Sequence, residues 1–68
     1  MNLGRGIRVM LARRNISQTK LAREVGVSRP YMSSLCTSNK TPSFGLLESI
    51  SLSLGCEMSE IIKESEKS

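Results

Sequence analysis

The sequence predicts an all-α domain of short packed helices. Three observations carry this. The apolar residues are Leu, Ile, Val, Met and Ala, with Tyr31 and Phe44 the only aromatics. They recur at helical spacing without the alternation of strands. Ser, Asn and Gly stand where those helices would begin and end. At 68 residues the chain is one domain, near the lower limit for a core that folds without staples.

In order along the chain, residues 3–14 form the first helix, with Ile7, Met10 and Leu11 on one face. Gly4 and Gly6 each cost about 1 kcal/mol relative to Ala in a helix, so its start is expected to fray. Asn15 suits a left-handed C-terminal position. Ser17 is the N-cap of a second helix, Gln18 to about Val25, whose apolar face is Leu21, Ala22 and Val25. Gly26 supplies positive φ at the turn, with Val27 beneath it. Ser28 caps a third helix to about Cys36, and Pro30 falls in its first turn, where a missing N–H costs nothing. The residue before a proline avoids helical ψ, so Arg29 is the alternative cap. Met32, Leu35 and Cys36 point inward. Residues 37–42, TSNKTP, are turn chemistry. Ser43 caps a fourth helix to about Leu54, stopped by Gly55, with Leu47, Ile50 and Leu54 as its stripe. A fifth helix covers about Ser59 to Glu64. Residues 1–64 are the domain, and residues 65–68 a disordered polar tail.

Composition excludes several functions. No apolar run is long enough for a transmembrane helix, and nothing resembles a signal peptide, which points to a cytoplasmic protein with no membrane partner. There is no histidine and no aspartate, no CxxC pair and no phosphate loop, so catalytic residues, metal ligands and cofactors are all expected to be absent and the protein is not expected to be an enzyme. Cys36 and Cys56 are expected as free, buried thiols. The net charge of +4 is unevenly spread. Residues 1–42 hold eight basic and one acidic residue, and residues 43–68 hold two basic and five acidic. A basic front and an acidic remainder fit one face for a polyanion and another for something else.

Two short capped helices about a glycine turn, residues 17–36, have the helix-turn-helix layout, with the second helix expected in the major groove of DNA. The spacing Ser17-Gln18-x-x-Leu21-Ala22-x-x-x-Gly26-Val27-Ser28 resembles the phage-repressor and Cro (Xre) family of DNA-binding domains. The resemblance continues through Leu35, Pro42-Ser43 and Leu54-Gly55, covering about residues 5–62. It implies a five-helix lambda-repressor-like fold, which agrees with the helices above, and a bacterial or phage-encoded protein.

The resemblance also implies roles, position by position. Gln18 matches a glutamine that clasps a DNA phosphate, as a helix N-terminus with an amide favours. Arg29, Pro30, Ser33 and Ser34 match positions that reach base edges. Arg29 can bridge guanine O6 and N7, worth about 1–3 kcal/mol of discrimination, while Pro30 can only touch a thymine methyl. Ser28, Thr37, Ser38, Asn39 and Lys40 are the candidates for phosphate, since loop amides and short polar groups hold it. Tyr31 either lies over the helix surface or reaches a phosphate through its hydroxyl. Many relatives carry a buried Arg–Glu pair at the positions of Leu11 and Cys36. Replacing both partners by apolar residues is often neutral, whereas losing one costs about 3–5 kcal/mol, so these two are expected in or near contact.

A domain this small reads one half-site, and a two-fold homodimer reads two, about 34 Å apart. Leu46, Leu52, Met58 and Ile62, which no core stripe claims, are the candidates for that contact. The implied function is a transcriptional regulator, a repressor or autoregulator on a palindromic operator, with RNA polymerase a further partner where it activates. The competing readings are a DNA-binding antitoxin with an acidic, toxin-contacting C-terminal section, and a helical interaction module that no longer binds DNA.

Overall fold

A computed structural model describes residues 2–38 and 40–67. Five helices follow one another: α1 Leu3–Arg14, α2 Gln18–Val25, α3 Arg29–Thr37, α4 Phe44–Leu54 and α5 Met58–Glu66. Each begins where a side chain takes up an orphan backbone N–H. Asn2, Ser17, Ser28 and Ser43 accept from the N–H of Arg5, Lys20, Tyr31 and Leu46 at 3.0–3.2 Å. Ser28, not Arg29, is therefore the cap of α3, and Pro30 sits inside its first turn. Asn15 (φ 56°), Gly26 (φ 78°) and Gly55 (φ 69°) end α1, α2 and α4 in the left-handed conformation. α5 starts at Met58, a residue ahead of the expected Ser59, because the Glu60 carboxylate reaches back to the Glu57 N–H at 2.8 Å.

The predicted stripes meet in one core: Ile7, Met10 and Leu11 from α1, Leu21 and Ala22 from α2, and Met32, Leu35 and Cys36 from α3. Leu47, Ile50 and Leu54 from α4 and Ile61 from α5 complete it. Leu11 and Cys36, expected in or near contact, both lie in this cluster. Val25 and Val27 are half-buried against it. α1 packs mainly on α5 and α3, while α2 packs on α3 and α4. Among the described residues no helix is long and apolar enough to cross a membrane. Cys36 is buried and Cys56 half-buried, both as free thiols. Burial pushes the Cys36 thiol pKa up against the pull of Arg8; burial also raises that of Cys56, helped by Glu60 and Glu57 and opposed by Arg14.

Two expectations change. The start of α1 is not a frayed end, because Gly4 and Gly6 are buried contact points. A Cβ on Gly4 would run into the Leu35 and Cys36 carbonyls; one on Gly6 would meet the Ile61 carbonyl and the Ser65 hydroxyl. The propensity lost at these glycines is exchanged for close approach by α3 and α5. The second change concerns the tail. Ser65 and Glu66, assigned from sequence to a disordered segment, are the last residues of α5. Ser65 is buried, its hydroxyl donates to the Ile61 carbonyl at 2.7 Å, and its own carbonyl accepts from the Asn2 N–H at 3.0 Å. Polar groups satisfied this way can be buried without penalty.

Glu64, also buried, accepts from Arg13 at 2.9 Å and from Lys67 at 3.2 Å, which pins α5 to the end of α1. The Lys67 hydrogen bond first, and then Arg13, hold its carboxyl pKa below the ordinary glutamate value. A lowered folded-state pKa contributes stability above the unfolded-state value, and that stability is lost as pH falls through the folded-state value. Thermal melts at decreasing pH should therefore show the advantage of the wild type over Glu64→Gln shrinking on acidification; a constant difference would contradict the ion-pair account. Gly6→Ala should destabilise by about 1–3 kcal/mol through overpacking. Gly45→Ala, on the open face of α4 with nothing near the added methyl, should instead raise stability by up to about 1 kcal/mol. Melting temperatures of the two variants, moving in opposite directions, check this pair.

Candidate nucleic-acid interface

The buried side of α3 is Met32, Leu35 and Cys36, which leaves Arg29, Pro30, Ser33, Ser34 and Thr37 as a continuous outer row. Spacing of i, i+4 and i+8, with one neighbour beside each of the first two, is the outer face of a 3.6-residue helix. Arg29, Pro30, Ser33 and Thr37 are exposed and Ser34 is half-buried. The four base-contact candidates therefore share one face, with Arg29 at its head. α2 packs on α3, and the Gly26 turn joins them.

The N-termini of α2 and α3 both present positive dipole ends; α2 offers the N–H groups of Gln18 and Thr19, and α3 only that of Arg29, since Pro30 has none and Ser28 takes up the Tyr31 N–H. Gln18 is the first residue of α2 and is half-buried. Ser28 uses a lone pair to cap α3, so its hydroxyl proton remains a donor. Glu24 is the only acidic residue before Glu48, so cations far outnumber anions along α1, α2, α3 and the loop that follows. Lys20 and Arg23 are exposed on α2.

At the end of α3, two of the phosphate candidates already give their hydroxyl protons to the helix. The Thr37 hydroxyl donates to the Ser33 carbonyl at 2.8 Å, and the Ser38 hydroxyl donates to the Ser34 carbonyl at 2.6 Å. Each hydroxyl has one proton to give, so neither can donate to a phosphate while these bonds last. Asn39 lies outside the described residues. Lys40 is exposed, and its ammonium stands 5.2 Å from the centroid of the Tyr31 ring. Sequence spacing foresaw the exposed row but had no means of showing where the hydroxyl protons go.

The candidates for a two-fold contact separate into two groups. Leu46 and Met58 are half-buried and pack against the core, and Ile62 is half-buried on α5. Leu52 is 77% exposed on α4. Phe44, which the sequence reading left unassigned, is 69% exposed at the start of the same helix. Phe44 and Leu52, eight residues apart, lie about 12 Å apart along one row. A large aromatic left in solvent has no local sequence signal, since the rule for Phe is burial. A shallow groove beside Leu52 is lined by Ser51, Cys56, Glu57 and Met58.

The family model for the Cro/C1-type helix-turn-helix DNA-binding domain matches residues 6–66, nearly the whole chain. No curated protein matches it.

Proposed function

The chain belongs to the Cro/C1-type helix-turn-helix DNA-binding domain family, and from that premise we propose that it is a sequence-specific transcriptional regulator, a repressor or autoregulator that binds a palindromic operator as a homodimer. The observation that carries the reading is the outer row of α3. It has an arginine at its head, small side chains behind it that let the helix sink into a groove, and helix N-termini on the flank for phosphate. Arg29 reads guanine through O6 and N7, Pro30 lies against a thymine methyl, and Ser33 and Ser34 reach edges further along. Gln18 and Ser28 hold phosphates at the N-termini.

Size supports the dimer. The domain measures 28 Å in its longest dimension, less than the ~34 Å that separates successive major grooves on one face of DNA. Two copies are needed to read two half-sites, and few base contacts per copy make the second copy necessary for specificity. Leu52 and Phe44 on the open row of α4 are the apolar centre of that contact, with Leu46, Met58 and Ile62 behind them. RNA polymerase enters as a competitor for the promoter, or as a partner held there.

Titration against random duplex and a selected palindromic library, at several salt concentrations, tests the reading. A sequence optimum and a steep fall of affinity with salt are expected, whereas flat binding with little salt dependence contradicts it. Arg29→Ala should relax preference at one base pair per half-site, costing about 1–3 kcal/mol there. A uniform loss over all sequences would reduce Arg29 to a phosphate contact. Leu52→Glu should weaken self-association in sedimentation runs by about tenfold or more. An unchanged monomer–dimer equilibrium would remove Leu52 from the interface.

A further inference from the structure

Tyr31 sits on the flank of α3, 36% exposed, with the Lys40 ammonium 5.2 Å from its ring centroid. A cation within about 6 Å of a ring centroid feels the attraction of the ring quadrupole. The backbone brings the two together. The Ser38 hydroxyl ties the end of α3 back to the Ser34 carbonyl, and the Lys40 N–H in turn donates to that hydroxyl oxygen at 3.4 Å. The Ser38 hydroxyl proton is thereby used, and that of Thr37 goes to the Ser33 carbonyl. Lys40 is then the one cation that the sequence offers between Thr37 and Ser43. Its ammonium has three donors, and a ring face covers one side of it.

We propose that Tyr31 and Lys40 act as one unit, in which the Tyr31 ring holds the Lys40 ammonium at the edge of α3 as a preset phosphate contact. Tyr31 is a positioning residue here, acting through its ring face and not through its hydroxyl. A lysine free in solvent loses rotamer freedom when it binds a phosphate, and one already resting on a ring loses less. The proposal rests on the DNA-binding reading above and adds to it how the C-terminal end of α3 meets the backbone.

The full chain should be titrated with random-sequence duplex over a range of salt, as wild type, Tyr31→Phe, Tyr31→Ala, Lys40→Ala and the Tyr31→Ala/Lys40→Ala double variant. Tyr31→Phe should bind as wild type. Tyr31→Ala and Lys40→Ala should each weaken binding by about three- to tenfold, and the double variant should be no weaker than Lys40→Ala alone. Lys40→Ala should also reduce the salt slope by about 0.9, one phosphate contact. In the free protein, the Lys40 side-chain methylene protons should show a ring-current shift in the NMR spectrum that Tyr31→Phe keeps and Tyr31→Ala abolishes. Loss of binding in Tyr31→Phe would assign the phosphate to the hydroxyl. Additive losses, or an unchanged slope in Lys40→Ala, would mean the two residues act separately. Absence of the ring-current shift overturns the Tyr31–Lys40 contact alone, whereas failure of the wild type to bind any duplex overturns the DNA-binding reading beneath it.

Discussion

The first two turns of α1 set how the other helices can sit. Gly4 meets the carbonyls that end α3, and Gly6 meets the Ile61 carbonyl and the Ser65 hydroxyl of α5. Neither position has room for a methyl group. One short stretch of α1 therefore fixes the depth at which both the DNA-facing helix and the C-terminal helix seat. Among the described residues, twelve buried apolar side chains make up the core, which leaves little spare packing to absorb a displaced helix. The Asn2–Ser65 backbone bond and the Arg13–Glu64 pair tie both ends of α1 to the last turn of α5. Exposed ion pairs contribute little stability, and in this one the Glu64 end is buried while the Arg13 end is exposed.

Most of the fold was readable because it is written locally. A cap needs a serine or asparagine at one place, a left-handed end needs glycine or asparagine, and a buried face needs apolar residues three and four apart. Ser17, Gly26, Ser28, Ser43 and Gly55 each meet such a rule, and each stands where it places them. The α1 glycines were misread for the opposite reason. Propensity counts only the cost of Gly4 and Gly6 within their own helix, while the gain comes from residues about 30 and 60 positions away. Ser65 repeats the case: a serine in a charged tail reads as solvent-exposed until its hydroxyl is seen bonded to Ile61 and its carbonyl to Asn2.

The interface divides along the same line. Which residues of α3 face outward follows from its period, so Arg29, Pro30, Ser33 and Ser34 could be named from the sequence alone. What each polar group still has to offer could not, because that depends on its partners. Leu11 and Cys36 lie between these cases. Apolar periodicity puts each on the inner face of its own helix, and the packing of α1 on α3 gathers both into one core.

The two ends of α3 are unequal in what they can give to an anion, and the reason is the polarity of the helix. At its N-terminus the unpaired groups are N–H donors, and Ser28 satisfies one of them as an acceptor, keeping its own proton. Pro30 has no N–H to add, so what this end offers is the Arg29 N–H, the Ser28 hydroxyl proton and the full charge of the Arg29 guanidinium. At the C-terminus the orphan groups are carbonyls, and they draw in the hydroxyl protons of Thr37 and Ser38. The dipole there is also negative and repels a phosphate. Short polar side chains cannot serve both demands, so attraction at that end has to come from a whole positive charge beyond the last turn. Lys40, held against Tyr31, is the residue that stands in that place.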